Sequence, residues 1–147
     1  MSNIRISLLL LIAMLVVSGC TSSPARPSSF TFQGVSWKIS SVETMKASET
    51  WLRPAESAEW VSDVLLIITF EVQGDPLPQY RDAELRRWFS DIMLRETGRT
   101  AEQFFPNSQE QGGPIDSMIC IFSIDEGTES VELVLPDSQT IEITVKG

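Results

Sequence analysis

The sequence predicts an all-β domain, an antiparallel β-sandwich, and three observations favour it. Several runs of residues alternate apolar and polar side chains with a period of two, which is typical of half-buried strands. Short segments rich in Gly, Pro, Asp and Ser separate these runs at the length of hairpin turns. Residues 30–147 suffice for one two-layer domain with a single core, and the apolar content of 42% excludes a chain that is disordered by composition.

The strongest alternation lies in residues 62–72, with the sequence SDVLLIITFEV. The opposite faces of this run differ, because one is apolar throughout and the other is apolar only in its middle. This pattern predicts a central strand that is partly covered on both sides. The apolar face consists of Val64, Leu66, Ile68, Phe70 and Val72.

Three later runs also predict strands, at residues 116–124, 130–137 and 140–146. Residues 125–129 and 136–139 predict tight connections of hairpin length between them. The expected inward-facing side chains of the three runs are Met118, Cys120, Phe122, Ile124, Val131, Leu133, Leu135, Ile141, Ile143 and Val145.

Weaker signals complete the set of elements. Residues 30–45 predict one or two strands, and residues 89–97 predict another. Residues 80–89, with Asp82 as a candidate N-cap, predict a single short helix or a crossover loop. Residues 106–116 read as an irregular loop.

The N-terminus has a different composition from the rest of the chain. Arg5 precedes an apolar run of 12 residues, ISLLLLIAMLVV. A helix that crosses a bilayer needs about 20 apolar residues. The run is short for that role and matches the hydrophobic region of a secretory signal peptide.

The segment VSGC, residues 17–20, resembles the lipobox of bacterial lipoproteins. The resemblance implies cleavage between Gly19 and Cys20, a diacylglyceryl thioether on the Cys20 sulfur and a stable lipid anchor. The alternatives are an ordinary secretory signal with a chance cysteine and a retained transmembrane anchor. Residues 1–19 are thus expected to be the signal peptide and residues 20–29 the lipidated cysteine with a flexible Ser- and Pro-rich linker.

We expect the domain of residues 30–147 to be held on the cell membrane, facing outward or into the periplasm. Thr21 follows the cysteine where an aspartate would mark retention in an inner membrane, so the outer membrane is expected if the host has two membranes. A thioether-bound Cys20 cannot form a disulfide, which leaves Cys120 as a lone thiol.

Charge excludes one class of partner. The chain has 11 basic and 20 acidic residues, a net charge of −9, and Arg5 is the one charged residue among the first 19. The remainder therefore carries a net charge of −10. A domain this acidic is not expected to bind nucleic acid through its phosphates, or to be held on anionic lipid by charge.

The sequence offers few residues of the kinds that common catalytic sites need. The chain has no histidine, which removes Ser-His-Asp and Cys-His triads and histidine-based metal sites. Cys120 alternates in phase with Met118 and Phe122, which favours a buried packing thiol over a reactive one. The carboxylates of residues 125–129 lack the ligand spacing of a calcium loop. We therefore expect no enzyme activity, no catalytic residue, no metal and no cofactor.

One cluster of basic and aromatic residues stands out. Five arginines fall within residues 81–99, and arginine and tryptophan are the residue types enriched at binding hot spots. The interpretation as a binding surface competes with pairing of these arginines to the many acidic residues and burial of the tryptophan. Trp51 and Trp60 form a second candidate, as exposed ligand contacts or as residues buried at a sandwich edge. The candidate partner-binding residues of the cluster are Arg81, Arg86, Arg87 and Trp88.

The order of the predicted strands resembles the telokin-type, immunoglobulin-like domain of many bacterial secreted lipoproteins. The segments that carry the resemblance are VSDVLLIITFEVQG, FSDIMLRETGRT, DSMICIFSIDEGTESVELVL and TIEITV. It implies a two-sheet sandwich with roles in binding, adhesion or envelope assembly, and it carries no active-site residue. The sequence thus predicts a lipid-anchored cell-envelope lipoprotein with a non-catalytic protein-binding or assembly module. The alternative is a module that binds peptidoglycan, a sugar or a small anion.

Overall fold

The computed structural model of the chain describes residues 29–32, 34–55 and 59–145. The predicted signal peptide, Cys20 and most of the predicted linker lie outside these residues. The described strands are β1 (Ser29–Phe32), β2 (Val35–Lys46), β3 (Val64–Gln73), β4 (Met93–Leu94), β5 (Gln103–Asn107), β6 (Ser117–Ile124), β7 (Ser130–Val134) and β8 (Thr140–Thr144). The α-helix α1 spans Asp82–Ser90, and 3₁₀ turns cover Ala47–Glu49 and Gln79–Arg81.

The strands form two antiparallel sheets, which confirms the predicted all-β sandwich. The larger sheet has the order β1-β2-β3-β6-β5, and the smaller has the order β4-β7-β8. Residues 125–129 carry the chain from β6 in one sheet to β7 in the other, so this connection is not a hairpin. Residues 136–139 do close the predicted hairpin between β7 and β8, with a hydrogen bond from Leu135 N to Gln139 O of 2.8 Å.

The central strand β3 lies between β2 and β6, as its alternation predicted. Leu66, Ile68 and Phe70 are fully buried in the core that both sheets share. Leu65 on the opposite face is also fully buried, although it lies outside that core. The described parts of the loop before β3, residues 50–55 and 59–63, cover this outer face near the start of β5, where Ser62 N donates to Ser123 Oγ and Ala55 N to Glu102 O. The prediction of a strand covered on both sides is therefore confirmed.

An aromatic cluster holds α1 against the larger sheet. The Phe89 ring lies 5.0 Å from that of Trp37 and 5.2 Å from that of Phe70, measured between ring centroids. The Trp88 ring stacks on those of Phe32 at 4.3 Å and Phe30 at 5.4 Å. Edge-to-face and offset-stacked pairs of this kind stabilise beyond the area they bury.

Two local predictions are corrected. The run of residues 89–97 is not one strand, because its first two residues end α1 and only Met93–Leu94 pairs, with β7. Asp82 is not the N-cap, because the 3₁₀ turn Gln79–Arg81 leads directly into the helix. Its carboxylate instead accepts a hydrogen bond of 2.9 Å from Arg86 Nε.

The loop predicted for residues 106–116 begins too early, since Gln103–Asn107 forms the edge strand β5 and pairs with β6. Pro106 is tolerated there because an edge strand has one side on which no partner strand needs a donor. The described part of the chain contains no helix with the length and apolar character needed to cross a bilayer.

Candidate functional site

A surface groove lies between the end of α1, the start of β5 and the described loop residues 50–55 and 59–63. Its volume is about 640 Å³, and three other surface depressions measure about 290 to 390 Å³. Mostly apolar walls with a few polar groups are typical of binding pockets of this size. We refer to this depression as the α1 groove, and its walls include Pro54, Ala55, Val61, Ser90, Glu102 and Phe104.

The loop wall of the α1 groove is held in place by hydrogen bonds to the larger sheet. Ala55 N donates to Glu102 O at 2.8 Å, and Gln103 Nε2 donates to Arg53 O at 3.1 Å. Further along, Val61 N donates to a Glu102 carboxylate oxygen at 2.9 Å. Both described parts of the loop are therefore held to the sheet by hydrogen bonds. The groove exists before any partner binds.

The second Glu102 oxygen is also occupied. It accepts a short hydrogen bond from the hydroxyl of Ser123, a fully buried residue whose Oγ accepts in turn from Ser62 N at 3.3 Å. Arg99 Nη1 donates to the Ser123 carbonyl at 3.2 Å. Ser123 is buried and Glu102 is half-buried, and because both Glu102 oxygens accept hydrogen bonds, the pair serves to fasten the loop.

Two apolar side chains of the loop point into solvent. Trp51 is 88% exposed and Val61 is 63% exposed. Of the two tryptophans that the sequence singled out, Trp51 is therefore the exposed one, whereas Trp60 is half-buried. The indole N–H of Trp60 is buried and has no hydrogen-bond partner among the described residues. The loop thus presents Trp51 and Val61 on a fixed backbone beside the groove.

The arginine cluster is mostly paired within the chain. The Arg81 guanidinium donates two hydrogen bonds to the Glu84 carboxylate, at 3.1 and 3.2 Å. This hydrogen bonding raises the pKa of Arg81. Arg86 pairs with Asp82 at 2.9 Å. Trp88 is half-buried, because it stacks on the phenylalanines of β1 as described above. Of the four candidate binding residues, Arg87 alone is exposed with no ion pair among the described residues.

Some of the remaining basic residues are also paired with carboxylates, and others are not. Arg95 pairs with Glu132 at 2.9 Å and Arg99 with Asp125 at 3.3 Å. Within the described ranges, Lys46 and Arg53 join Arg87 in making no ion pair. Arg53 directly precedes Pro54 in the groove wall, and Arg87 lies one helical turn before Ser90 in the same wall. Two of the three unpaired cations therefore lie next to wall residues of the α1 groove along the chain.

No group of three or more metal-ligating side chains converges in the part of the chain that the structure describes. Cys120 is a free thiol at the centre of the core, and its burial raises the pKa of the thiol far above its ordinary value. A neutral, inaccessible thiol is not a nucleophile. The packing role that the sequence favoured for Cys120 therefore agrees with its position.

The sequence did not single out Arg53, Val61, Glu102 or Phe104. They lie on a loop and a strand about 40 residues apart, and each is unremarkable within its own segment. Comparisons of the chain with models of protein families, with curated proteins and with solved structures found no match. The immunoglobulin-like relationship and its implied roles stay predictions.

Proposed function

We propose that this protein is a cell-envelope lipoprotein, anchored by lipid on Cys20, whose sandwich binds another envelope protein and helps to assemble a complex. The anchor rests on the signal-like segment and the lipobox-like residues 17–20. The binding role rests on the exposed face of the loop beside the α1 groove. No catalytic step is proposed.

The observation that carries the binding role is the exposure of Trp51 on a fixed loop. A tryptophan side chain that is 88% exposed keeps a large apolar surface in contact with water. Such surface beside a pocket commonly marks a protein–protein interaction site, and Trp is enriched among hot-spot residues. Because the described parts of the loop are already held to the sheet by hydrogen bonds, binding there would not require a large loss of their backbone entropy.

The predicted linker bounds where the partner can lie. Ten extended residues, 20–29, reach at most about 35 Å at 3.3–3.6 Å per residue. A domain on this linker stays close to the membrane surface. The proposed partner is therefore a protein of the same membrane or of the adjacent envelope layer.

The binding role is tested by isolating the full-length protein from gently solubilised membranes and identifying what accompanies it. We expect an envelope protein to copurify with the wild type, and its recovery to fall at least about tenfold with Trp51→Ala, the scale of a hot-spot residue. Tyr80→Ala is the matched control, because Tyr80 is 85% exposed but precedes α1 at the end opposite the groove. Equal recovery with both variants, or no copurifying protein, would contradict the proposal.

A sugar-binding role for Trp51 is less well supported by the surrounding groups. A stacked sugar needs polar side chains that are free to bond its hydroxyls. Glu102 and Gln103 are already bonded to the loop or to its supports, which leaves Arg53 as the nearby polar side chain without an ion pair among the described residues. A saturable change in tryptophan fluorescence on adding purified muropeptides would favour this alternative over the protein partner.

A further inference from the structure

We infer that the α1 groove takes an extended segment of the partner protein, in which an apolar side chain is flanked by carboxylates. This inference rests on the proposed function and specifies the chemistry of the partner at one site. Three observations carry it, namely the apolar walls of the groove, the two unpaired arginines at its border and the main-chain groups of Phe104.

The apolar walls of the groove favour binding of an apolar group. Pro54, Ala55 and Val61 form the loop side, and Phe104 lies on the strand opposite. The volume of about 640 Å³ falls within the range of roughly 300–1,000 Å³ that is typical of ligand pockets. The one carboxylate in its wall, Glu102, accepts hydrogen bonds from Val61 N and the Ser123 hydroxyl, so both of its oxygens are already engaged.

The border of the groove favours a negative partner. Arg53 directly precedes the wall residue Pro54, and the Arg87 carbonyl accepts a hydrogen bond of 2.7 Å from the wall residue Ser90. Neither arginine makes an ion pair within the described chain. This is unusual in an acidic protein, since five other cations among the described residues each have a carboxylate partner. A guanidinium forms bidentate hydrogen bonds with a carboxylate, so acidic residues on both sides of the bound apolar group would satisfy both arginines.

The main chain of Phe104 favours an extended occupant. Its N–H donates to the side-chain oxygen of its own neighbour Gln103 at 3.1 Å, and its carbonyl accepts only a long contact of 3.5 Å from Arg86 Nη1. Both main-chain groups are therefore bonded by side chains, and β5 is an edge strand of the larger sheet. An extended peptide beside an edge strand offers main-chain hydrogen-bond partners for such groups. Pro106 lacks an N–H and limits this pairing to the start of β5.

The test uses a display library of random 12-residue peptides, selected on the full-length protein in detergent micelles. We expect enriched peptides to place an apolar residue between Asp or Glu residues. Binding of one such synthetic peptide should fall at least about tenfold with either Arg53→Glu or Arg87→Glu, the loss of one hot-spot contact. It should also weaken as salt is raised, because the contacts are ionic.

Lys46→Glu is the matched control. Lys46 is also unpaired among the described residues and the substitution changes the charge by the same amount, but Lys46 lies in a separate depression with Asp63 and Glu126. Peptide affinity within about twofold of the wild type is expected for this variant. Equal losses in all three variants would show a general charge effect and overturn the inference, as would enriched peptides without acidic residues or no enrichment.

Different experimental results would contradict the proposed groove ligand and the proposed binding role. A copurifying protein that is lost with Trp51→Ala but is retained with both arginine variants would overturn the groove inference and leave the binding role standing. Absence of any copurifying protein would instead contradict the binding role, while the peptide selection still reports directly on the groove.

Discussion

Trp37→Ala is expected to lower the free energy of unfolding by about 3–5 kcal/mol, the range for removal of a buried aromatic side chain. Trp37 is fully buried, and its ring lies 5.0 Å from Phe89 of α1 and 6.5 Å from Phe30 of β1. Its loss would leave a cavity where β1, β2 and the helix meet. A cost of this size is a large fraction of the stability of a small domain.

The matched control is Trp51→Ala, which removes the same side chain from a position that is 88% exposed. We expect a change within about 0.5 kcal/mol, as is usual for surface substitutions. Urea unfolding followed by far-ultraviolet circular dichroism measures both variants without relying on tryptophan emission. Similar midpoints for the two variants would contradict the arrangement of the aromatic cluster.

Trp37→Phe should cost less than Trp37→Ala for two reasons. It keeps a ring between Phe30 and Phe89, and it removes an indole N–H that is buried without a hydrogen-bond partner. A buried donor without a partner costs about 1–3 kcal/mol, so its removal offsets part of the lost packing.

Cys20→Ser is expected to abolish incorporation of labelled fatty acid into the protein and to leave the uncleaved precursor. The thioether needs the cysteine sulfur, and in the lipobox-like pattern cleavage depends on the modified cysteine. Metabolic labelling followed by gel electrophoresis and membrane fractionation measures both effects. Without acyl chains, a processed domain would also leave the membrane, because an acyl anchor derives its affinity from about 0.8 kcal/mol per buried methylene.

Cys120→Ala is the control for this experiment, because Cys120 is the other cysteine of the chain and is buried in the core. Labelling of this variant should match the wild type per molecule of protein recovered. Label that persists after Cys20→Ser, or a wild-type protein that carries none, would refute the lipid anchor.

Alternation with a period of two correctly located β3 and β6 to β8, because each of these strands buries one face in the shared core. The same rule missed β5. Phe104 packs toward the core while Phe105, on the other face, is also half-buried, so the strand has no polar alternation to detect. Pro106 argued further against a strand until its edge position was known.

The predicted helix, residues 80–89, agrees with α1 at Asp82–Ser90 to within two residues at each end. Phe89 carried both the helix signal and the strand signal of residues 89–97, and it lies in α1, where its ring packs against Trp37 and Phe70 from distant parts of the chain. Tertiary packing of that kind overrides the local strand signal that residues 89–97 carry. The stacking of Trp88 on β1 could not be predicted from the sequence for the same reason.

The α1 groove could be predicted only in fragments. Composition singled out Arg87 and Trp51, but equally Arg81 and Arg86, whose pairing with acidic residues three and four positions away was readable from helical spacing. The groove itself joins a loop, a helix end and a strand that are distant in sequence. Its recognition required the tertiary structure.

Photocrosslinking at Val61 in living cells tests the central claim most directly. Val61 lines the groove and is 63% exposed, so a photoreactive phenylalanine analogue at this position should form a covalent adduct with one envelope protein. The same analogue at Asp137, exposed in the turn between β7 and β8, should form none. An adduct at Val61 that weakens with Arg87→Glu is the predicted result. No adduct at Val61, or the same adduct from both positions, would contradict a protein-binding face at the α1 groove.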